Sequence, residues 1–186
     1  MTSDTPNRPR YLPGDPPPAD EIERMIRVDH AGEYGAVRIY EGQLAVMRRG
    51  RARDEIRRMA EQEARHLATF NQLMQSRRVR PTALQPLWHM AGYALGAATA
   101  LLGEEAAMAC TVAVEEVIDE HYQDQSERLG DADPALKHTI LAFRDDELAH
   151  RARAIEHGAL DTLGYDVISG VIKAGSRLAI WLSTRL

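Results

Sequence analysis

Two short words in the chain, Glu63-Ala64-Arg65-His66 and Glu147-Leu148-Ala149-His150, each set a carboxylate and an imidazole three residues apart. Positions i and i+3 of a helix share a face, so each pair can grip a single metal ion through a carboxylate oxygen and a ring nitrogen. With 15 Glu and 7 His in 186 residues, chance supplies roughly half of one such match, and a lone E-x-x-H is weak evidence. Spacing supplies the context. Glu33 lies 30 residues before the first word, and Glu115 lies 32 before the second. Each interval fits the climb up one helix, a short turn and the return down the next, which brings all six groups to one height. Such a mixed oxygen and nitrogen donor set suits iron or manganese rather than thiolate-loving metals. Two bridging Glu would leave open positions for dioxygen, so O2 activation, peroxidase-like chemistry and iron oxidation are all chemically reasonable.

Four helices must carry these groups. The pattern E…ExxH…E…ExxH is that of di-iron and di-manganese carboxylate bundles of the ferritin-like kind. The expected fold is therefore all-α, a ferritin-like four-helix bundle with additional amphipathic or membrane-contacting helices. Composition agrees: aromatics are only 5% while Ala, Leu, Arg and Glu abound, which favours helix over sheet. The length suits one domain with a sizeable core. A net charge of −5 offers no basic field for nucleic acid. The single Cys110 removes zinc-ribbon and iron–sulfur readings, which need several thiolates.

Residues 1–18 are rich in proline and hold no apolar run, so 1–19 reads as a disordered or loosely packed leader without a secretory signal, and 20–186 as the catalytic domain. Asp20 with Glu23 makes a capping-box-like start for a first helix reaching about Arg49, with Gly50 as its stop. Gly32, Gly35 and Gly42 punctuate it, pointing to close approach by another helix or by substrate, or to small residues merely tolerated. A second helix over 51–77 places Glu63 and His66 inside the apolar stripe of Met59, Phe70 and Met74. A buried Glu there costs several kcal/mol unless it is paired or metal-bound. The third bundle helix carries Met108, Thr111, Val112, Glu115, Ile118 and Tyr122 and ends near Gly130. Asp133-Pro134 then caps and opens the fourth. A last helix over about 166–185 is amphipathic and suited to cover the bundle or touch membrane.

Between the halves, Pro81 to Gly103 contains no charged residue. The stretch Leu84–Leu102 approaches transmembrane length, but Gln85, Pro86, His89 and three small residues dilute it. The preferred reading is a helix lying on or dipping into a bilayer, or roofing an apolar channel; the rival is a buried core helix. Arg77, Arg78 and Arg80 just before it would suit anionic headgroups or simply a solvated helix end.

Several local words are more specific: Arg27-Val28-Asp29-His30-Ala31-Gly32-Glu33-Tyr34-Gly35-Ala36, Leu87-Trp88 with Leu95-Gly96-Ala97, Ala107 through Glu116, Phe143-Arg144-Asp145-Asp146-Glu147-Leu148-Ala149-His150, and Ala174-Gly175-Ser176-Arg177. From about Asp20 to the end, the chain closely resembles the demethoxyubiquinone hydroxylase family of ubiquinone biosynthesis. The resemblance implies a membrane-associated di-iron monooxygenase that hydroxylates the ring of a polyprenylated demethoxy-benzoquinol, using two Fe2+ and O2. It implies one metal held by Glu33, Glu63 and His66 and the other by Glu115, Glu147 and His150, with Glu63 and Glu147 bridging. It favours Glu115 rather than Glu116 as the ligand, in agreement with the place of Glu115 in the Met108–Ile118–Tyr122 stripe, so that Glu116 would point away. It further implies a substrate or reductant path at Tyr122 and His121, with Tyr122 as a core residue whose hydroxyl bonds a neighbour as the alternative. Asp146 is read as orienting a ligating His; the matching position in the first half is Gln62, so the halves look inequivalent there. Arg24, Arg177 and Arg185 would serve NADH, if that is the electron donor; no G-x-G-x-x-G is present, and surface or headgroup contacts compete for these arginines.

The expected partners are the polyprenyl quinol, a membrane surface, a lipid-presenting protein of the pathway and a second copy in a homodimer, with no nucleic acid. The expected location is peripheral, on the cytoplasmic face of the plasma membrane in a bacterium or the matrix side of the inner membrane in a mitochondrion. Two rivals share the pattern: a ferroxidase or iron-storage bundle without quinone chemistry, and a metal-free amphipathic bundle that binds membrane.

Overall fold

Among the described residues the punctuation of the chain sets six helices. A computed structural model describes residues 18–186; the leader expected over 1–19 lies outside the described residues up to position 17. The helices are α1 (Pro18–Val46), α2 (Arg51–Arg77), α3 (Gln85–Leu102), α4 (Glu104–Leu129), α5 (Pro134–Glu156) and α6 (Tyr165–Ser183), with a short 3-10 turn at Ala159–Asp161 before the last. Asp133 caps α5 as the sequence suggests: its carboxylate accepts the Leu136 N–H at 3.0 Å, satisfying one of the orphan donors of the first turn. Helix α4 ends at Gly130, whose φ of 51° a residue without Cβ adopts freely.

Boundaries differ from the sequence expectation by a few residues: α1 begins at Pro18, within the stretch read as leader, α6 ends at Ser183 rather than about 185, and the largest shift is at the end of α1. Helix α1 stops at Val46 rather than near Arg49 because Arg53 of α2 reaches back. Its guanidinium donates to the carbonyls of Leu44 and Met47, each at 3.0 Å, and so takes over acceptors that a further helical turn would have used.

Helices α1 and α2 form one antiparallel pair and α4 and α5 the other; α3 lies along α1, and α6 along α4. Each bundle helix carries apolar residues on both sides of its candidate ligand. One core cluster holds Ile56, Met59, Met108, Val112 and Ala154; the second, at the other end, holds Ile26, Phe70, Leu136 and Ile140. The polar groups form a layer between two apolar plugs, which fixes their height and keeps out water.

The crossover helix α3 is held by backbone contact. A Cβ built on Gly96 would stand 1.9 Å from the Ile39 carbonyl oxygen, and one on Gly42 would stand 2.1 Å from the Tyr93 carbonyl oxygen. Gly42 thus has the close helix approach expected of it. At Gly35 the approach is to its carbonyl oxygen, 3.0 Å from a Cβ built on Gly92, while a Cβ on Gly35 itself meets nothing within 4 Å. The other face of α3 is uncovered: Met90 and Leu102 are each 71% exposed. The buried-core reading of this segment is therefore wrong, because only Gly92, Gly96 and Thr99 of α3 are buried. No helix among the described residues is long and apolar enough to cross a membrane. The preceding basic run is also smaller than its sequence suggests, because Arg77 pairs with Asp133 and Val79 is buried.

Candidate metal centre

Helical periodicity brings Glu33 (α1), Glu63 and His66 (α2), Glu115 (α4), and Glu147 and His150 (α5) together in the mid-layer. All six are at most 3% exposed. They fall into two overlapping sets, Glu33, Glu63, His66 and Glu147, and Glu63, Glu115, Glu147 and His150. Within each set the ligand atoms lie within 4.8 Å of one another. Glu63 and Glu147 belong to both, the arrangement needed for two bridging carboxylates.

Both imidazoles turn the same nitrogen inward. His66 Nδ1 stands 3.3 Å from Glu147 and 3.5 Å from Glu33; His150 Nδ1 stands 3.1 Å from Glu147 and 3.2 Å from Glu63. The outer nitrogens are tied elsewhere. His66 Nε2 donates to Asp146 Oδ2 at 3.0 Å, and His150 Nε2 donates to the Gln62 amide oxygen at 3.3 Å. An N–H bonded outward leaves Nδ1 as a lone-pair donor aimed at the centre. Asp146 and Gln62 are crossed supports of unlike chemistry: each sits beside the ligand of its own helix yet supports the imidazole of the other half.

The terminal carboxylates are crossed in the same way. Tyr122 of α4 donates its hydroxyl to Glu33 of α1, and Tyr40 of α1 donates to Glu115 of α4 at 2.8 Å. Tyr122 is thus a buried partner of a ligand candidate. His121 donates to the buried Asp29 at 3.1 Å, and Asp29 also accepts from Gln125 at 2.7 Å. Sequence reasoning misses Tyr40, which reads there only as part of an apolar face. A signal exists: each tyrosine lies seven residues, two helical turns, after the Glu of its own helix. Glu116 leaves the centre and pairs with Arg151 at 2.9 Å and with Lys173.

Electrostatics indicate that cations belong here. Burial, then the neighbouring carboxylates Glu147, Glu33 and Glu115, push Glu63 well above the ordinary range. Burial likewise raises Glu115, with Glu147 adding to it, and burial moves Glu147 the same way. Burial acts to lower His66, but Glu147 and Glu33 outweigh it and hold the ring up at about 10; burial lowers His150. Glu33 Oε2, Glu63 Oε1 and His66 Nδ1 are buried without any hydrogen-bond partner, a costly state for polar atoms in an apolar interior. Metal binding would displace the His66 proton; four carboxylates and two imidazoles then neutral would match two divalent cations in charge, and these orphaned atoms are the ones such ions would engage. The donor chemistry fits iron or manganese.

The remaining named residues separate. Arg24 and Arg185 line one cavity of about 590 Å³ with Asp20, Glu23, Arg27 and Thr184. Arg185 also stacks over Trp181, 4.1 Å from the ring centroid. Arg177 is not in that group; it pairs with Glu120 at 2.9 Å.

Beside the centre lies an apolar cavity of about 450 Å³ walled by α1, α3, α4 and α6. Its lining includes Ala36 and Ile118, one turn beyond Glu33 and Glu115, together with Gly35, Trp88, Leu95, Val171, Ile172 and Gly175. Trp88 Nε1 donates to Ser183 at 2.9 Å and ties α3 to α6 across its rim.

Comparison with known proteins agrees with this layout. A 3-demethoxyubiquinol 3-hydroxylase of Rhodospirillum rubrum is 59% identical over 176 residues, spanning 94% of this chain and 83% of the relative. A human protein named NADPH-dependent 3-demethoxyubiquinone 3-hydroxylase, mitochondrial, is 53% identical over 169 residues, 89% of this chain and 78% of its own. A Saccharomyces cerevisiae 5-demethoxyubiquinone hydroxylase, mitochondrial, is 43% identical over 182 residues, with 89% and 78% covered. The human name gives NADPH where NADH was expected from the sequence. The family described as ubiquinone biosynthesis protein COQ7 matches residues 20–183, so the chain belongs to that family.

Proposed function

We propose that this chain hydroxylates the ring of a polyprenylated demethoxy-benzoquinol with O2 at a centre of two iron ions. The carrying observation is the pair of ligand sets sharing Glu63 and Glu147, set within a helical turn of an apolar cavity. The names of the relatives agree. When bound, the two ferrous ions would supply the electrons and Lewis acidity with which dioxygen is activated for insertion of one oxygen atom into the ring. Glu33, Glu63, His66, Glu115, Glu147 and His150 would hold them.

The protein's own groups do the rest. Burial keeps the Tyr40 and Tyr122 hydroxyls protonated, their ionisation pushed well above the usual phenol range by desolvation and the facing carboxylates. Each therefore stays a donor, fixing one oxygen of Glu115 or Glu33. The apolar plugs above and below exclude water, which would otherwise compete for the reactive centre. The cavity binds the lipid tail and directs the ring toward Ala36, whose small side chain leaves room one turn from Glu33. The uncovered faces of α3, with Leu87 and Met90, and of α6, with Val171 and Trp181, lie on a bilayer surface so that the tail enters from lipid. In a mitochondrion this is the matrix side of the inner membrane, in a bacterium the cytoplasmic face. The reductant is a nicotinamide cofactor; Arg24 and Arg185, in their shared cavity, take its phosphates.

The test is direct. Protein loaded with Fe2+ and supplied with reductant, isotopically labelled dioxygen and a short-tailed demethoxyubiquinol should yield quinol carrying one labelled oxygen. Glu63→Ala should abolish that product. Oxidation of iron with the quinol left unchanged would instead establish the ferroxidase reading.

A further inference from the structure

We propose that the two metal positions are unequal, and that Asp146, acting through His66, makes the Glu33/His66 position fill before the Glu115/His150 position. This inference rests on the di-metal reading and concerns only the order and tightness of loading.

Apart from the Phe143 ring stacked 3.9 Å from His66 and the Arg153 charge near His150, the two halves match in the kinds of group around their ligands. Glu63 and Glu147 are common to both positions and favour neither. Each terminal carboxylate receives one tyrosine hydroxyl, Tyr122 on Glu33 and Tyr40 on Glu115. Each imidazole turns Nδ1 inward and Nε2 outward. What differs is the acceptor behind the ring. His66 donates to a carboxylate at 3.0 Å, whereas His150 donates to an amide oxygen at 3.3 Å. The Asp146 side chain is 41% exposed, so its negative charge is solvated and retained. Gln62 at the crossed position is neutral.

A carboxylate accepting the outer N–H makes an imidazole a stronger electron-pair donor and fixes its orientation, and loss of such partners costs about 10–100-fold in metal affinity. An amide oxygen offers a dipole without charge, through a longer contact. Asp146 touches His66 directly, whereas at His150 its charge acts only through space. Asp146 is thus a positioning residue whose hydrogen bond falls on one of the two sites. Its consequence is a protein that passes through a defined one-metal state, with the first ion beside Glu33.

Anaerobic titration with Co2+ alone, followed by its visible absorption and by calorimetry, tests this without any turnover. Wild-type protein should bind two equivalents in two steps separated by about 10-fold or more. Asp146→Asn, nearly isosteric, should weaken the first step and close the gap while leaving the second in place. Gln62→Glu should close the gap from the other side by tightening the second step. Two indistinguishable steps in the wild type, or an Asp146→Asn variant with the gap intact, would overturn the proposal while leaving a di-metal centre standing. Failure to bind two equivalents at all, in wild type as in Glu63→Ala, would overturn both.

Discussion

Gly35 offers a way to test the cavity apart from the metals. It lines the cavity, and a Cβ built on it meets nothing within 4 Å, so a larger side chain there enters space rather than protein. Gly35→Ala should stabilise α1 by up to about 1 kcal/mol through helix propensity, a rise of about 2–4 °C in melting temperature for a chain of this size. Gly35→Leu should keep that gain and also project four carbon atoms into the cavity. If the cavity holds the tail, those carbons displace a comparable length of substrate hydrocarbon. At about 0.8 kcal/mol per buried methylene the loss is about 3 kcal/mol, or about two orders of magnitude in kcat/KM. The assay is steady-state hydroxylation of a tailed demethoxyubiquinol in detergent or vesicles, with metal content and melting measured on the same preparations. A Gly35→Leu variant that melts at or above wild type, carries full metal and retains kcat/KM within a few-fold would refute the assignment of this cavity to the substrate.

Other substitutions probe the frame. Gly96→Ala should destabilise by about 1–3 kcal/mol, because its Cβ would lie 1.9 Å from backbone oxygen of Ile39; an unchanged melting temperature would mean α3 is free to move off α1. Tyr40→Phe removes the hydroxyl that donates to Glu115 at 2.8 Å and should cost about 1–3 kcal/mol in thermal or denaturant unfolding; a neutral result would show that Glu115 finds another donor. Asp133 governs an acid-dependent step. Its bond with Arg77, and then the Leu136 N–H, hold its carboxyl below the usual value despite partial burial. Its stabilisation is thus fully present above the ordinary carboxylate range and is lost as pH falls through the lowered value. Asp133→Asn keeps the cap but not the charge, so it should flatten this part of the acid limb of a stability–pH curve; an unaltered limb would exclude Asp133 as a contributor.

The centre was legible because ligand chemistry and helix geometry both leave marks at fixed spacing. Glu63 and His66 interrupt an apolar stripe, and nothing but pairing or a metal makes that tolerable. The 30- and 32-residue intervals then encode the climb and return of a helix pair. Helix ends at Asp133 and Gly130 were legible for similarly local reasons. Tertiary contact decided the rest. Nothing near Val46 announces the end of α1, because Arg53 on the next helix supplies the groups that end it. The environment of α3 was open from composition, since an uncharged helix can be core or surface; the glycines at 42, 92 and 96 settle it by seating one narrow face on α1.

The crossed supports were hidden for a deeper reason. Asp146 and Gln62 each precede a Glu on their own helix, so aligning the two halves pairs them as counterparts and finds a mismatch. In space each serves the histidine of the opposite half, as each tyrosine serves the opposite carboxylate. Supports built across the interface between halves couple the two helix pairs through the very groups that hold the ligands. Separating α1–α2 from α4–α5 would strip Glu33 and Glu115 of their hydroxyl donors and both imidazoles of their outer acceptors at once. Metal binding at these ligands would therefore be coupled to the docking of the two halves, and loss of the ions should loosen the mid-layer of the bundle before its apolar ends.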